Sequence, residues 1–192
     1  MSQANTLSRP AAADWRTLAP LAVLAVSVLS LGSAFFAQYG FGLQPCVLCI
    51  YQRWPYAATI AIGLLASLFL RRSPLLPWAL ALAGLLFAVG AGIAAFHVGV
   101  EHHWWQGTAE CTGTAGYGAT TVEALRAQLK GTPIVRCDEV QWSLFGISMA
   151  GYNFLASGVY AIGSWTAAWR LRTGAGARRR RTAAPAPARQ DR

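Results

Sequence analysis

The sequence predicts an all-α membrane protein: a four-transmembrane-helix bundle with a long second periplasmic loop carrying a short interfacial helix. Three observations lead there. Of 192 residues, 55% are hydrophobic and only 12% charged, where an ordinary soluble domain carries ~25% charge. Four apolar runs, at about residues 18–37, 50–70, 75–96 and 149–169, each approach the ~20 residues that a helix needs to cross a ~30 Å hydrocarbon core. Basic residues mark alternate ends of these runs: Arg9 and Arg16 before the first, Arg71 and Arg72 after the second, and Arg170, Arg172, Arg178 to Arg181, Arg189 and Arg192 after the fourth. Such regions face the cytoplasm. One unit then uses most of the chain, with residues 1–17 as a cytoplasmic tail, 18–170 as the membrane domain and 171–192 as a basic, disordered cytoplasmic tail that touches anionic lipid.

The first run is longer than the ~7–15 residues of a signal-peptide core, so it reads as an uncleaved span. Residues 38–49 form a short periplasmic connection. The second run begins at Pro45-Cys46-Val47-Leu48-Cys49, with Pro45 suited to a first helical position, and Pro55 is expected to kink it one turn further in. In the third run Gly84, Ala88 and Gly92 recur every fourth residue, a small-residue stripe that lets a neighbouring helix approach.

The second periplasmic loop, 97–148, holds five of the seven acidic residues. A loop of this length usually carries function. Within it Thr120-Thr121-Val122-Glu123 reads as a capping box, and Val122, Leu125 and Leu129 as one apolar face ended by Gly131 and Pro133. Trp104, Trp105 and Trp142 suit the membrane surface. The net charge of +9 comes largely from the tails and the cytoplasmic turn, so nucleic acid is not an expected partner.

Chemistry concentrates at Cys46 and Cys49. On a helix Cys46, Cys49 and Arg53 share one face, and both the helix N-terminus and the guanidinium favour a thiolate at Cys49, the form that attacks disulfides and donates electrons. A C-x-x-C can equally be half of a zinc site or two inert thiols. Cys111 and Cys137 stand too far apart to complete a zinc set, and beside His97 and Glu101 the adjacent His102 and His103 point apart in most conformations, which leaves no obvious fourth ligand, so no metal is expected. Cys111 and Cys137 read either as a structural disulfide closing the loop, worth ~3.5 kcal/mol in the chain-entropy model, or as a reducible one facing a substrate.

Pro-Cys-Val-Leu-Cys, Arg53 four residues on, His97 at the outer face and a long loop holding Cys111 and Cys137 resemble the DsbB family of bacterial disulfide-bond formation proteins over residues 18 to 170. That resemblance implies an inner-membrane enzyme, a protein-dithiol:quinone oxidoreductase. It would reoxidise a periplasmic DsbA-type thiol oxidase and pass electrons to quinone, with ubiquinone the expected cofactor and menaquinone the alternative. By position Cys111 would form the mixed disulfide with the partner, Cys137 would relay to Cys46, and Cys49 would be the thiolate that meets the quinone. Arg53 and His97 would hold the quinone oxygens. A monomer with both termini cytoplasmic is expected. The competing readings are a relative with a dedicated partner, another quinone-linked thiol enzyme resembling vitamin K epoxide reductase, and a structural membrane protein with two stable disulfides.

Overall fold

The computed structural model describes residues 14–109, 111 and 135–183. Among the described residues three helices are long and apolar enough to cross a membrane: Trp15–Gly40, Val47–Leu70 and Leu76–Glu101. The capping box at Thr120 and the short helix expected after it lie outside the described residues.

Helix α1 (Trp15–Gly40) starts where the Asp14 carboxylate accepts from the Arg16 N–H at 3.2 Å and the Thr17 hydroxyl at 2.9 Å. Such a cap satisfies donors that the first turn leaves without an intrahelical partner. The second rod is not one uniform helix: α2 (Val47–Tyr51), α3 (Arg53–Leu65) and a π-helical turn (Ala66–Leu70) follow one another. Its break falls at Gln52, ahead of Pro55, because the proline ring offers no N–H and crowds the carbonyl of Tyr51 four residues back.

Helix α4 (Leu76–Glu101) carries Pro77 in its first turn, where a missing N–H costs nothing. It runs five residues beyond the expected end at 96, so His97 belongs to a helix and not to the loop. A hairpin absent from the sequence reading follows the loop: β1 (Ser143–Leu144) pairs antiparallel with β2 (Ile147–Ser148), and Phe145 and Gly146 turn between them with φ of 49° and 78°. Helix α5 (Met149–Ala183) follows directly and continues past residue 170, into the stretch expected to be disordered.

A buried cluster built around Val23, Tyr56, Leu76, Leu80, Phe87 and Ala161 holds the helices together. Phe87 meets Tyr56 and Tyr160 edge to face at 6.0 and 5.4 Å, joining α3, α4 and α5. Ser27 and Thr59 bring their buried hydroxyls within 2.8 Å across α1 and α3. A Cβ on Gly63 would lie 2.9 Å from the Leu24 backbone, so glycine sets how closely α1 and α3 approach. Of the expected small-residue stripe, Gly84 does receive a neighbour, the ring of Trp165 on α5, whereas nothing lies within 4 Å of a Cβ placed on Gly92. The stripe is therefore used in part.

The two ends of the bundle differ. At one, Arg16 donates to the Arg71 carbonyl at 2.8 Å, Arg170 covers the Trp15 ring and Arg172 the Trp78 ring. The cysteines gather at the other.

Candidate functional site

Cys46 is the N-cap residue of α2 and not part of its first turn. Its backbone is extended, and its sulfur accepts from the Cys49 N–H at 3.3 Å. Pro45 consequently precedes the cap and lies two positions ahead of the first helical residue, Val47, the place the sequence suggested for it, because the sulfur itself takes the capping role. The Cys46 and Cys49 sulfurs lie 2.9 Å apart as free thiols.

Cys111 and Cys137 form a disulfide, with Cα atoms 5.1 Å apart. Both are buried, and they share one cluster with Cys46, Leu48 and Val100, against which Cys49 packs. The last turns of α4 and the start of α2 thus bring residues far apart in sequence onto one side of a single core.

His97 extends from α4 into this cluster. Its Nε2 lies 3.6 Å from Cys46 Sγ and 3.9 Å from Glu101 Oε1, and its Nδ1 lies 2.9 Å from Gln52 Nε2. Beyond Gln52 the polar chain goes on: Asn153 Nδ2 donates to Gln52 Oε1 at 2.5 Å, and the Tyr56 hydroxyl donates to Asn153 Oδ1 at 2.6 Å. The Glu101 carboxylate accepts from the Ser148 hydroxyl. Hydrogen bonding to the Cys49 side chain holds the Cys46 thiol far down, at about 4, against the upward push of burial and with His97 adding to the fall. The sequence suggested Cys49 as the favoured thiolate. In the dithiol form the groups that favour charge instead converge on Cys46, because the capping N–H and the imidazole both face its sulfur.

Arg53 stands on the same wall but is not bonded to either thiol. Its guanidinium donates to Gln38 Oε1 at 2.7 Å and covers the Phe35 ring at 4.9 Å. Cys46, Cys49, Arg53, His97 and Glu101 all line one cavity of about 530 Å³, walled on one side by Ser30 and Ala34 of α1 and on the other by Asn153 and Ala156 of α5. The Cys46 and Cys49 sulfurs and His97 Nε2 lie within 4.8 Å of one another, a spacing that can also hold a metal ion. At the outer edge Arg136 is bidentate to Asp138, at 2.9 and 2.5 Å.

Trp105 seals the end of α4, stacked on Phe96 with its indole N–H donating to the Phe96 carbonyl at 3.0 Å. Gln52, Asn153 and Tyr56 were not singled out as site residues from the sequence, and Glu101 was weighed there only as a metal ligand. The available signal was polarity inside apolar runs, since buried polar groups in membrane segments are costly and tend to be functional.

An apolar helical bundle with a dithiol at a helix cap and a disulfide packed against it defines a class, the membrane proteins of thiol–disulfide exchange. The family model described as Disulfide bond formation protein DsbB matches residues 16–167. The chain belongs to the DsbB family. Similar proteins named Disulfide bond formation protein B occur in Haemophilus influenzae, 33% identical over 145 residues with 73% of this chain and 79% of that protein covered, and in Xanthomonas oryzae pv. oryzae, 30% identical over 157 residues with 78% and 84% covered. One from Methylococcus capsulatus is 33% identical over 142 residues, covering 70% of this chain and 85% of that protein. No solved structure matches the chain significantly.

Proposed function

We propose that this protein is a dithiol:quinone oxidoreductase of the bacterial inner membrane, with four spans, both termini cytoplasmic and its cysteines periplasmic. Its task is to reoxidise a periplasmic DsbA-type dithiol. The carrying observation is that Cys46, Cys111 and Cys137 share one buried cluster against which Cys49 packs, because two pairs can exchange disulfides only if their sulfurs can meet.

Electrons balance as follows. A partner thiolate attacks the Cys111–Cys137 disulfide, and the partner's second thiol completes its own disulfide, leaving Cys111 and Cys137 reduced. The Cys137 thiolate then attacks Cys46 of an oxidised Cys46–Cys49 pair, and Cys49 leaves as the thiolate. Attack by Cys111 on the resulting Cys46–Cys137 bond restores the loop disulfide and leaves the dithiol reduced. Each turnover brings two electrons and two protons to the Cys46–Cys49 pair.

Those electrons need an acceptor, and the cavity beside the pair fits a quinone ring: it is largely apolar, lies between α1 and α5, and carries two guanidiniums, of Arg53 and of Arg136, the second paired with Asp138. A bound quinone supplies a two-electron, two-proton sink. Arg53, braced by Gln38 and Phe35, is the residue that would hold a quinone oxygen. His97 lines the same cavity, but contacts within the protein engage both its ring nitrogens. When Cys46 is tied up with Cys137, Cys49 is the sulfur that remains on the cavity wall, which agrees with its role as electron donor.

The test is quinone reduction by the purified protein supplied with a reduced DsbA-type partner. Quinol formation matched one to one with partner disulfide supports the reading. Partner oxidation that proceeds at the same rate without quinone overturns it.

A further inference from the structure

The chain of side chains running Tyr56, Asn153, Gln52, His97 has a direction. An amide nitrogen only donates and an amide oxygen only accepts. Asn153 Oδ1 receives the hydroxyls of Tyr56 and Ser157, at 2.6 and 3.3 Å. Asn153 therefore presents its nitrogen to Gln52 Oε1, and Gln52 presents its own nitrogen to His97 Nδ1 at 2.9 Å. Nδ1 has to accept. A neutral imidazole then carries its one proton on Nε2, the nitrogen that faces Cys46 Sγ at 3.6 Å and Glu101 Oε1 at 3.9 Å.

We propose that Gln52 and Asn153 are positioning residues that hold His97 as the neutral Nε2–H tautomer, aimed at the sulfur of Cys46, so that His97 serves the dithiol as a hydrogen-bond donor and not as a base. A second observation points the same way. A bare Nε2 would set its lone pair against a thiolate and a carboxylate together, whereas Nε2–H offers both a donor. Turning both amides over would reverse every bond in the chain and put the proton on Nδ1. Nε2 would then be free to take a proton or to bind a metal with the two sulfurs, so the tautomer decides what this cluster can do.

The charged and titratable groups around the ring are Cys46 and Cys49 from α2, Arg53 and Tyr56 from α3, and Glu101 on α4 itself. Arg136 and Glu139 lie on the cavity wall further out and pair with each other at 3.5 Å. Of these, Glu101 is the acidic side chain close to Nε2, and it is partly occupied by the Ser148 hydroxyl.

This inference rests on the Cys46–Cys49 pair being the working dithiol, but its readouts use neither quinone nor partner, so it can fail while the proposed reaction stands, and the reverse. Long-range proton–nitrogen spectra of the reduced, nitrogen-15-labelled full chain in detergent report the tautomer directly, with His97 assigned by the signal lost in His97→Gln. The expected pattern near neutral pH is a protonated Nε2 and a bare Nδ1. A protonated Nδ1 in the parent protein overturns the proposal. Gln52→Glu should bring a proton to Nδ1, because a carboxylate there can only accept, and Asn153→Asp provides a second variant should the first not fold. Gln52→Met should raise the pH midpoint of Cys46 alkylation by about one unit, a tenfold change in the thiol to thiolate ratio. If Gln52→Glu and Gln52→Met leave both tautomer and midpoint unchanged, Gln52 has no positioning role.

Discussion

Cys46 Sγ and His97 Nε2 stand 3.6 Å apart although 51 positions separate the two residues in the chain. One caps a helix and the other sits a turn from the end of its neighbour, so the contact depends on α2 and α4 packing at the same height. Hydrogen bonding to the Cys49 side chain, with the His97 contact adding to it, lowers the Cys46 pKa to about 4. The charged form is then present above that value and is lost as the pH falls through it. Alkylation of Cys46 in the reduced protein should accordingly stay constant from neutral pH downward and decline only near pH 4. His97→Ala removes one donor to the anion, worth ~1.5–3 kcal/mol when the acceptor is charged, and should move that decline upward by about one to two pH units. A midpoint near the ordinary thiol value of 9 in the parent protein would refute the assignment.

Arg53 carries a different expectation. A guanidinium near the outer boundary of a membrane segment is costly unless its charge is used, and here Gln38 and Phe35 hold it on the cavity wall. Arg53→Ala should raise the apparent KM for quinone more than tenfold. Arg53→Lys should raise it less, since the charge stays while the planar fork is lost. Equal KM values for all three proteins would make Arg53 a lipid anchor, its side chain reaching for the headgroups.

Much of this was legible in the sequence. Four long apolar runs announced membrane spans, and among the described residues three helices are long and apolar enough to be such spans; the C-x-x-C spacing grouped Cys46, Cys49 and Arg53 on one helix face, and they line one cavity although Cys46 caps the helix instead of lying within it. What escaped notice depends on contacts between segments. The register of α4 against α2 decides that His97 meets Cys46 and not a loop ligand, and no local pattern encodes that register. Gln52 and Asn153 lie 101 positions apart, and each alone looks like a tolerated polar residue in an apolar helix. Pro55 signalled a break, but only the carbonyl of Tyr51 shows that it falls at Gln52, which frees this side chain to face His97.

Gly63 gives a test of packing that leaves the chemistry alone. A methyl group there would meet the Leu24 backbone at 2.9 Å, and backbone cannot swing aside as a side chain can. Gly63→Ala should force α1 and α3 apart and cost ~1–3 kcal/mol, the usual penalty of overpacking, read as a lower thermal midpoint in detergent. Gly92→Ala, with nothing within 4 Å of the new carbon, should leave the midpoint within error of the parent. A Gly63→Ala protein as stable as the parent would show that α1 and α3 are not held at the separation seen here.

The loop disulfide separates an exchanging pair from a merely structural one. Cys111 and Cys137 are both buried, so a purely structural bond would fit their surroundings. Their place beside Cys46 and Leu48 matters only if sulfurs pass between the pairs. Removing either loop cysteine should therefore leave Cys46 and Cys49 able to reduce added quinone once they have been chemically reduced. It should also abolish turnover with a reduced protein partner, by at least a hundredfold, because the partner's entry disulfide is gone. If either variant instead turned over the partner at the parent rate, with only a lower thermal midpoint, the loop bond would be a staple and the Cys46–Cys49 pair would have to face the partner directly.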